Sequence, residues 1–142
     1  MDFNVDKLIK KLAPKPSCNF GDIFFMSKEI LKFGDMNKPK HYAIQTESIA
    51  SSSYGCYFVP VTSEKHSPSG CFIFSLQKDS TVPVVDSRKS YAIFSQSVFI
   101  EHSKIFNPHY SELKGYLHSD FVKRYKKAVA NYYKDKILGR MN

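Results

Sequence analysis

The stretch Tyr57-Phe58-Val59-Pro60-Val61-Thr62-Ser63-Glu64 decides the predicted fold. Its aromatic and β-branched side chains suit a pleated, half-buried surface, so we expect a strand. Pro60 has no N–H to give to a ladder, which predicts a place at an edge, at a bulge or at the end of the strand. Thr62 and Ser63 follow where the strand gives way to a loop, and such positions often carry functional side chains.

Short apolar runs on both sides of this stretch predict further strands, because turn-forming residues separate them. These runs begin near Phe20, His41, Cys71, Thr81, Ser90 and Val98. Their regular spacing is typical of a small antiparallel barrel or a tightly curled sheet. The residues from Ser27 to Lys40 are expected to form a polar loop, and those from Ser111 to Leu117 a helical turn broken at Gly115.

Two segments near the ends of the chain predict amphipathic helices. Residues 3–12 have an apolar side opposite several lysines, and Pro14 ends this helix. Residues 119–138 carry an apolar stripe from Phe121 to Tyr132 opposite a basic face. The 142 residues therefore predict an N-terminal helical appendage at 1–17 and a single domain at 18–142, mainly β with flanking helices, which is the α+β class.

The formal net charge of +8 favours an anionic partner, with nucleic acid first, an acidic protein second and a membrane surface third. A basic surface that serves only solubility is the alternative. The three cysteines have no metal-ligand spacing, and their odd number indicates a reducing compartment. No apolar run approaches the roughly 20 residues that span a bilayer, and the N-terminus lacks a signal-peptide pattern. We expect a cytoplasmic protein without a membrane segment.

No metal-binding, nucleotide-binding or serine-hydrolase motif is present, so no cofactor is expected. Chemistry that needs only cations, hydroxyls and a histidine includes RNA cleavage, since the 2′-hydroxyl of RNA is its own nucleophile. Lys40, His41, Thr62 and Ser63 are suitable catalytic residues if the loop before His41 folds over the end of the central strand. Their ordinary interpretation is a solvated lysine, a surface histidine and a strand end capped by hydroxyls.

The order of these features resembles the MazF/PemK (Kid) family of toxin endoribonucleases. The matching pieces are Gly21-Asp22-Ile23, a polar loop that ends in a basic residue before Tyr42-Ala43-Ile44, Val59-Pro60-Val61-Thr62-Ser63, the run from Ser90 to Gln96, and a terminal helix. The match covers roughly residues 21 to 137 and leaves the N-terminal helix as an addition.

This resemblance implies an SH3-like barrel, usually a homodimer, that cuts single-stranded RNA without metal. It also implies a toxin–antitoxin system with a small acidic antitoxin as the inhibitor. By resemblance, the arginine of the family's loop falls on Lys40 and its active-site threonine on Thr62. The arginine that often follows the family's glutamine is replaced by Ser97, so Arg88 is the candidate for a guanidinium from elsewhere. The predicted RNA-binding residues are Lys38, Lys65, His66, Arg88 and Gln96.

Two other functions remain open at this point. One is a non-catalytic SH3-like module that binds nucleic acid or an acidic protein through a basic face, which predicts salt-sensitive binding without turnover. The other is a poison of DNA gyrase within the same fold family, which would act by protein contact and leave RNA intact.

Overall fold

The central strand β3 (Gly55–Thr62) contains residues 57–62 of the stretch that predicted it, and it has partners on both sides. One side pairs antiparallel with β2 (Lys40–Thr46). The other side pairs with β6 (Val98–Glu101) along Gly55 to Phe58 and with β5 (Lys89–Ile93) at Val61 and Thr62. Pro60 lies between these two pairings rather than at the end of the strand. A residue without an N–H is tolerated there because the ladder on that side is interrupted.

The computed structural model describes residues 19–32, 38–46, 54–63, 71–85 and 88–137. The other strands are β1 (Asp22–Ser27), β4 (Cys71–Ser75) and β7 (Ser111–Tyr116), and the seven strands form one antiparallel sheet in the order β4-β5-β3-β2-β1-β7, with β6 paired to β3. The helices are α1 (Lys28–Leu31), α2 (Leu76–Asp79), α3 (His102–Ile105), α4 (Ser119–Ile137) and a 3-10 turn at Phe94–Gln96. The predicted α+β class, mainly β with a C-terminal helix, is confirmed.

The two edges of the sheet meet at one place without forming a continuous ladder. Ser80, just after α2, makes an isolated antiparallel bridge to Leu117, just after β7. Thr81 N donates to Tyr116 O at 2.9 Å, and Tyr116 N donates to Thr81 Oγ1 at 2.9 Å. Gly115 allows this approach, because a Cβ there would lie 2.6 Å from Thr81 Oγ1. Within the described ranges, β4 and β7 do not pair, so the sheet is curled but not closed.

The sheet separates two apolar cores, as the period-2 alternation of strand side chains requires. Ile23, Ile44 and Val59 face the first core, which α4 covers with Phe121, Tyr125 and Val129. Their neighbours Phe24, Ala43 and Phe58 face the second core, which is covered by Ile30 and Leu31 of α1 and Ile105 of α3. The predicted apolar stripe of the C-terminal helix is therefore its packing face.

One polar pair is buried inside the first core. Tyr125 is fully buried, and its hydroxyl lies 3.0 Å from Thr46 Oγ1, which in turn donates to Ile44 O at 3.3 Å. Burial raises the pKa of Tyr125 well above its ordinary value, because the phenolate would lose its hydration in the core. The hydrogen bonds offset the cost of burying these hydroxyls.

Three local predictions were wrong. The residues from Ser111 to Leu117 form the edge strand β7, not a helical turn, because pairing with β1 outweighs local preference. Residues 81–85 form no strand, although Thr81 is hydrogen-bonded to Tyr116 of β7. Part of the expected loop after Ser27 is the helix α1, whose first turn is capped by the Ser27 hydroxyl, an acceptor from Glu29 N at 3.2 Å. The predicted N-terminal helix lies outside the described residues.

Candidate functional site

The sheet topology brings three separate segments to one end of the molecule. Strands β2, β3 and β5 are neighbours and antiparallel, so the start of β2, the end of β3 and the start of β5 lie at the same end of the sheet. The first segment carries Lys38, Lys40 and His41, and the second carries Thr62 and Ser63. The third carries Arg88 and Ser90.

Backbone contacts with β1 and with the start of α1 fix the first segment. Lys40 pairs with Ser27, and Lys28 N donates to Pro39 O at 2.9 Å. His41 is the next residue along β2 and is 6% exposed, whereas the neighbouring Lys40 is exposed. Strand β2 therefore begins with a basic side chain in solvent, followed by an imidazole set into the protein.

The end of β3 is held between two strands. Its last register pair with β2 joins Val61 to Tyr42, and Thr62 pairs with Tyr91 of β5. Thr62 is 7% exposed, while Ser63 is exposed just beyond the strand.

The third segment opens β5, and the described residues before it, 80–85, are held by their own contacts. After the Ser80 bridge, Val82 is buried in the first core and Val84 N donates to Val82 O at 2.9 Å. Gln77 Nε2 then donates to Val85 O at 3.2 Å. These contacts hold the chain as far as Val85, and Ser90 enters the ladder opposite Phe74 of β4.

A pocket of about 510 Å³ lies where the three segments meet. Its charged and polar lining residues are Lys38, Lys40, His41, Thr62, Ser63, Arg88 and Ser90. Its apolar lining residues are Phe25, Pro39, Tyr42, Val61, Leu76 and Val84. The volume falls within the ~300–1,000 Å³ typical of small-molecule and cofactor sites.

The charge of the pocket has a single sign. Lys38, Lys40 and Arg88 line it, and none of the described lining residues is acidic. Arginine presents a planar fork of donors that matches phosphate oxygens, while lysine acts as a compact point charge. A concave site with cations at its rim and hydroxyls at its wall favours an anionic ligand, and phosphate suits both types of group.

The structure gathers six of the nine predicted site residues in this pocket, namely Lys38, Lys40, His41, Thr62, Ser63 and Arg88. Gln96 is exposed in the 3-10 turn that follows the far end of β5, and it does not line the pocket. Lys65 and His66 lie outside the described residues.

The sequence interpretation missed the apolar wall of the pocket and Ser90. Phe25 and Tyr42 were assigned only to strands, since alternation identifies a face of a sheet but not a pocket at its end. Ser90 carried a signal, because it opens a run that resembles a strand of the MazF/PemK family.

Two cysteines in the described ranges, Cys56 and Cys71, lie outside this pocket. Cys56 Sγ is 3.6 Å from His102 Nε2, on the side of the second core. Burial raises the pKa of the Cys71 thiol in the edge strand β4. Among the described residues, no three His, Cys, Asp or Glu side chains form a group suited to a metal ion. None of the helices in these ranges is long and apolar enough to cross a membrane.

Comparison of the chain with protein-family models, with curated proteins and with solved structures gives no match. Membership of the MazF/PemK family therefore stays a prediction. Function has to be inferred from the chemistry of the pocket, because a fold alone does not imply an activity.

Proposed function

We propose that the chain is a metal-independent endoribonuclease of the toxin type that cuts single-stranded RNA in this pocket. The observation that supports it most strongly is that three cations, a histidine and three hydroxyl side chains line one pocket although they come from three segments. RNA supplies its own nucleophile, so a catalyst needs to orient the 2′-hydroxyl, offset charge on the phosphate and move protons. The lining residues include a side-chain type for each of these tasks.

In the proposed reaction, the 2′-oxygen forms a bond to phosphorus, the bond to the 5′-oxygen breaks, and a 2′,3′-cyclic phosphate remains. Lys40 and Arg88 would offset the negative charge that builds on the non-bridging oxygens. Thr62 would donate a hydrogen bond to one of those oxygens, with Ser63 as a second donor. His41 is the proposed acceptor of the 2′-hydroxyl proton, which returns to the leaving 5′-oxygen directly or through water.

The same proposal extends to the fold, the compartment, the oligomeric state and the protein partner. We propose that the curled, open sheet is a variant of the SH3-like barrel of the MazF/PemK family. The protein would then act in the cytoplasm as a homodimer within a toxin–antitoxin system. The net charge of +8 would suit an acidic antitoxin as the inhibitor.

The test is incubation of purified protein with a long single-stranded RNA in EDTA, followed by mapping of the cut ends. We expect discrete cuts with 2′,3′-cyclic phosphate ends. Thr62→Val, which removes the hydroxyl and keeps the branched shape, should lower the cleavage rate about 100-fold, as loss of one transition-state donor does. Thr62→Ser should retain most activity, and Lys104→Gln, an exposed lysine outside the pocket, should retain all of it. Full activity in Thr62→Val would remove Thr62 from the mechanism.

A non-catalytic nucleic-acid-binding module is the second candidate, and the surface of α4 favours it. Six cationic side chains are exposed along this helix, namely Lys123, Arg124, Lys126, Lys127, Lys134 and Lys136. Such a face neutralises phosphates without any requirement for base sequence. RNA that binds in a salt-sensitive manner but stays intact at every pH would favour this function over the nuclease.

A further inference from the structure

The proposed chemistry uses the cations and hydroxyls of the pocket and leaves its apolar wall without a role. Two aromatic residues, Phe25 and Tyr42, stand in that wall beside Lys38, Lys40 and Arg88. A site for phosphate alone has no need of aromatic rings, because phosphate is held by charge and by hydrogen-bond donors. A nucleotide needs both kinds of surface.

The two rings form a fixed pair. Phe25 of β1 and Tyr42 of β2 are directly opposite each other in the ladder, and their ring centroids are 4.8 Å apart at an interplanar angle of 43°. Tyr42 also packs against the first core. Both side chains are half-buried, so each is anchored on the protein side while part of it stays accessible at the pocket. Anchored, partly exposed rings lose little conformational freedom when a ligand stacks on them.

We propose that the Phe25–Tyr42 pair is the stacking platform for one base of the RNA, next to the phosphate held by Lys38, Lys40 and Arg88. This inference rests on the proposed function and adds a subsite to it. Stacking on an aromatic ring is tolerant of base identity, because every base has a π-face. The platform therefore selects unpaired nucleotides over paired ones, since a base inside a duplex is already stacked.

The test is a binding measurement that does not depend on cleavage. A short 2′-O-methyl RNA, which has no attacking hydroxyl, carries the fluorescent base 2-aminopurine at each position in turn. Stacking on an aromatic ring quenches this base. We expect quenching at one position with the unaltered protein, and an abasic nucleotide at that position should weaken binding about 10-fold, within the range for loss of one base–aromatic stack.

Variants of Phe25 and Tyr42 test whether the base stacks on these two rings. Phe25→Leu and Tyr42→Leu should each remove most of the quenching, and the abasic nucleotide should then cost little further affinity. Tyr42→Phe keeps the ring and should keep the quenching, which also controls for a general effect of changing this position. Tyr57→Leu is the matched control, because Tyr57 is a half-buried residue in another cross-strand aromatic pair, with Phe99, and lies outside the pocket.

The outcomes separate this inference from the nuclease. Quenching that persists in both leucine variants, or binding that no abasic position weakens, would overturn the stacking platform even if unmodified RNA is cut. Quenching that depends on both rings, with unmodified RNA left intact, would support the platform and overturn the nuclease. If neither the 2′-O-methyl RNA nor unmodified RNA binds, both the stacking platform and the nuclease are overturned.

Discussion

The salt dependence of RNA binding tests whether the pocket cations contact phosphates. Three cations line the pocket, Lys38, Lys40 and Arg88, so we assign three phosphate contacts to it. For single strands the slope of log affinity against log salt is about −0.7 per contact, so the pocket should contribute about −2. Between 50 and 200 mM salt this share alone weakens binding about 20-fold.

Replacing one of these lysines should change the slope by a defined amount. In Lys40→Gln the pocket keeps two phosphate contacts, so its contribution to the slope falls to about −1.4. That contribution weakens RNA binding about 7-fold between 50 and 200 mM salt. Fluorescence anisotropy with a labelled 2′-O-methyl oligonucleotide measures the slope without cleavage. Lys104→Gln is the control, since Lys104 is exposed on α3 and does not line the pocket.

Two results would refute the reasoning. An unchanged slope in Lys40→Gln would show that Lys40 contacts no phosphate. An equal decrease in Lys104→Gln would show that the bound RNA follows the general positive field of the protein rather than the pocket.

Other predictions concern stability, measured by urea unfolding unless stated. Tyr125→Phe should lower the free energy of unfolding by about 1 kcal/mol, because Thr46 keeps its hydrogen bond to the backbone. Thr46→Val should lower it by about 1–3 kcal/mol, because the buried hydroxyl of Tyr125 then has no partner. Since the pKa of Tyr125 is raised in the folded state, the unfolded chain loses this proton first above about pH 10, and stability should fall there by more in the unaltered protein than in Tyr125→Phe. Gly115→Ala should lower the free energy of unfolding by about 1–3 kcal/mol, because its Cβ would lie 2.6 Å from Thr81 Oγ1. Lys114→Ala is the control and should change it by no more than about 0.5 kcal/mol.

The sequence predicted most strands from short runs of apolar, aromatic and β-branched residues, and the C-terminal helix from its apolar spacing, because both patterns reflect burial. Phe121, Tyr125 and Val129 recur every four residues and are buried as a stripe. It did not predict β7, whose residues from Ser111 to Tyr116 include Glu112 and Lys114 but only one aliphatic side chain. This edge strand forms because it pairs with β1, which is far away in the chain. The local sequence of residues 111–116 does not show such a pairing.

The candidate site was predictable in part for a topological reason. Lys40 and Thr62 occupy the start and end of strands that are consecutive in the chain, and antiparallel pairing of such strands brings those ends together. Arg88 could be named only as a suitable residue type, because its place depends on the pairing of β5 with β3 and β4, which no local pattern shows. The aromatic wall was missed because Phe25 and Tyr42 look like ordinary strand residues until their register is known.

The contact between the two sheet edges also bears on self-association. An unpaired edge strand is a template on which a second molecule can add a strand, which is how many β proteins aggregate. At the end of β7 both backbone groups of Tyr116 are already engaged by Thr81. Earlier in β7, Glu112 and Lys114 form an ion pair of 3.2 Å, and an incoming strand would have to be laid beside these charges. The contact between Thr81 and Tyr116 thus leaves β7 a poor starting point for aggregation through its edge.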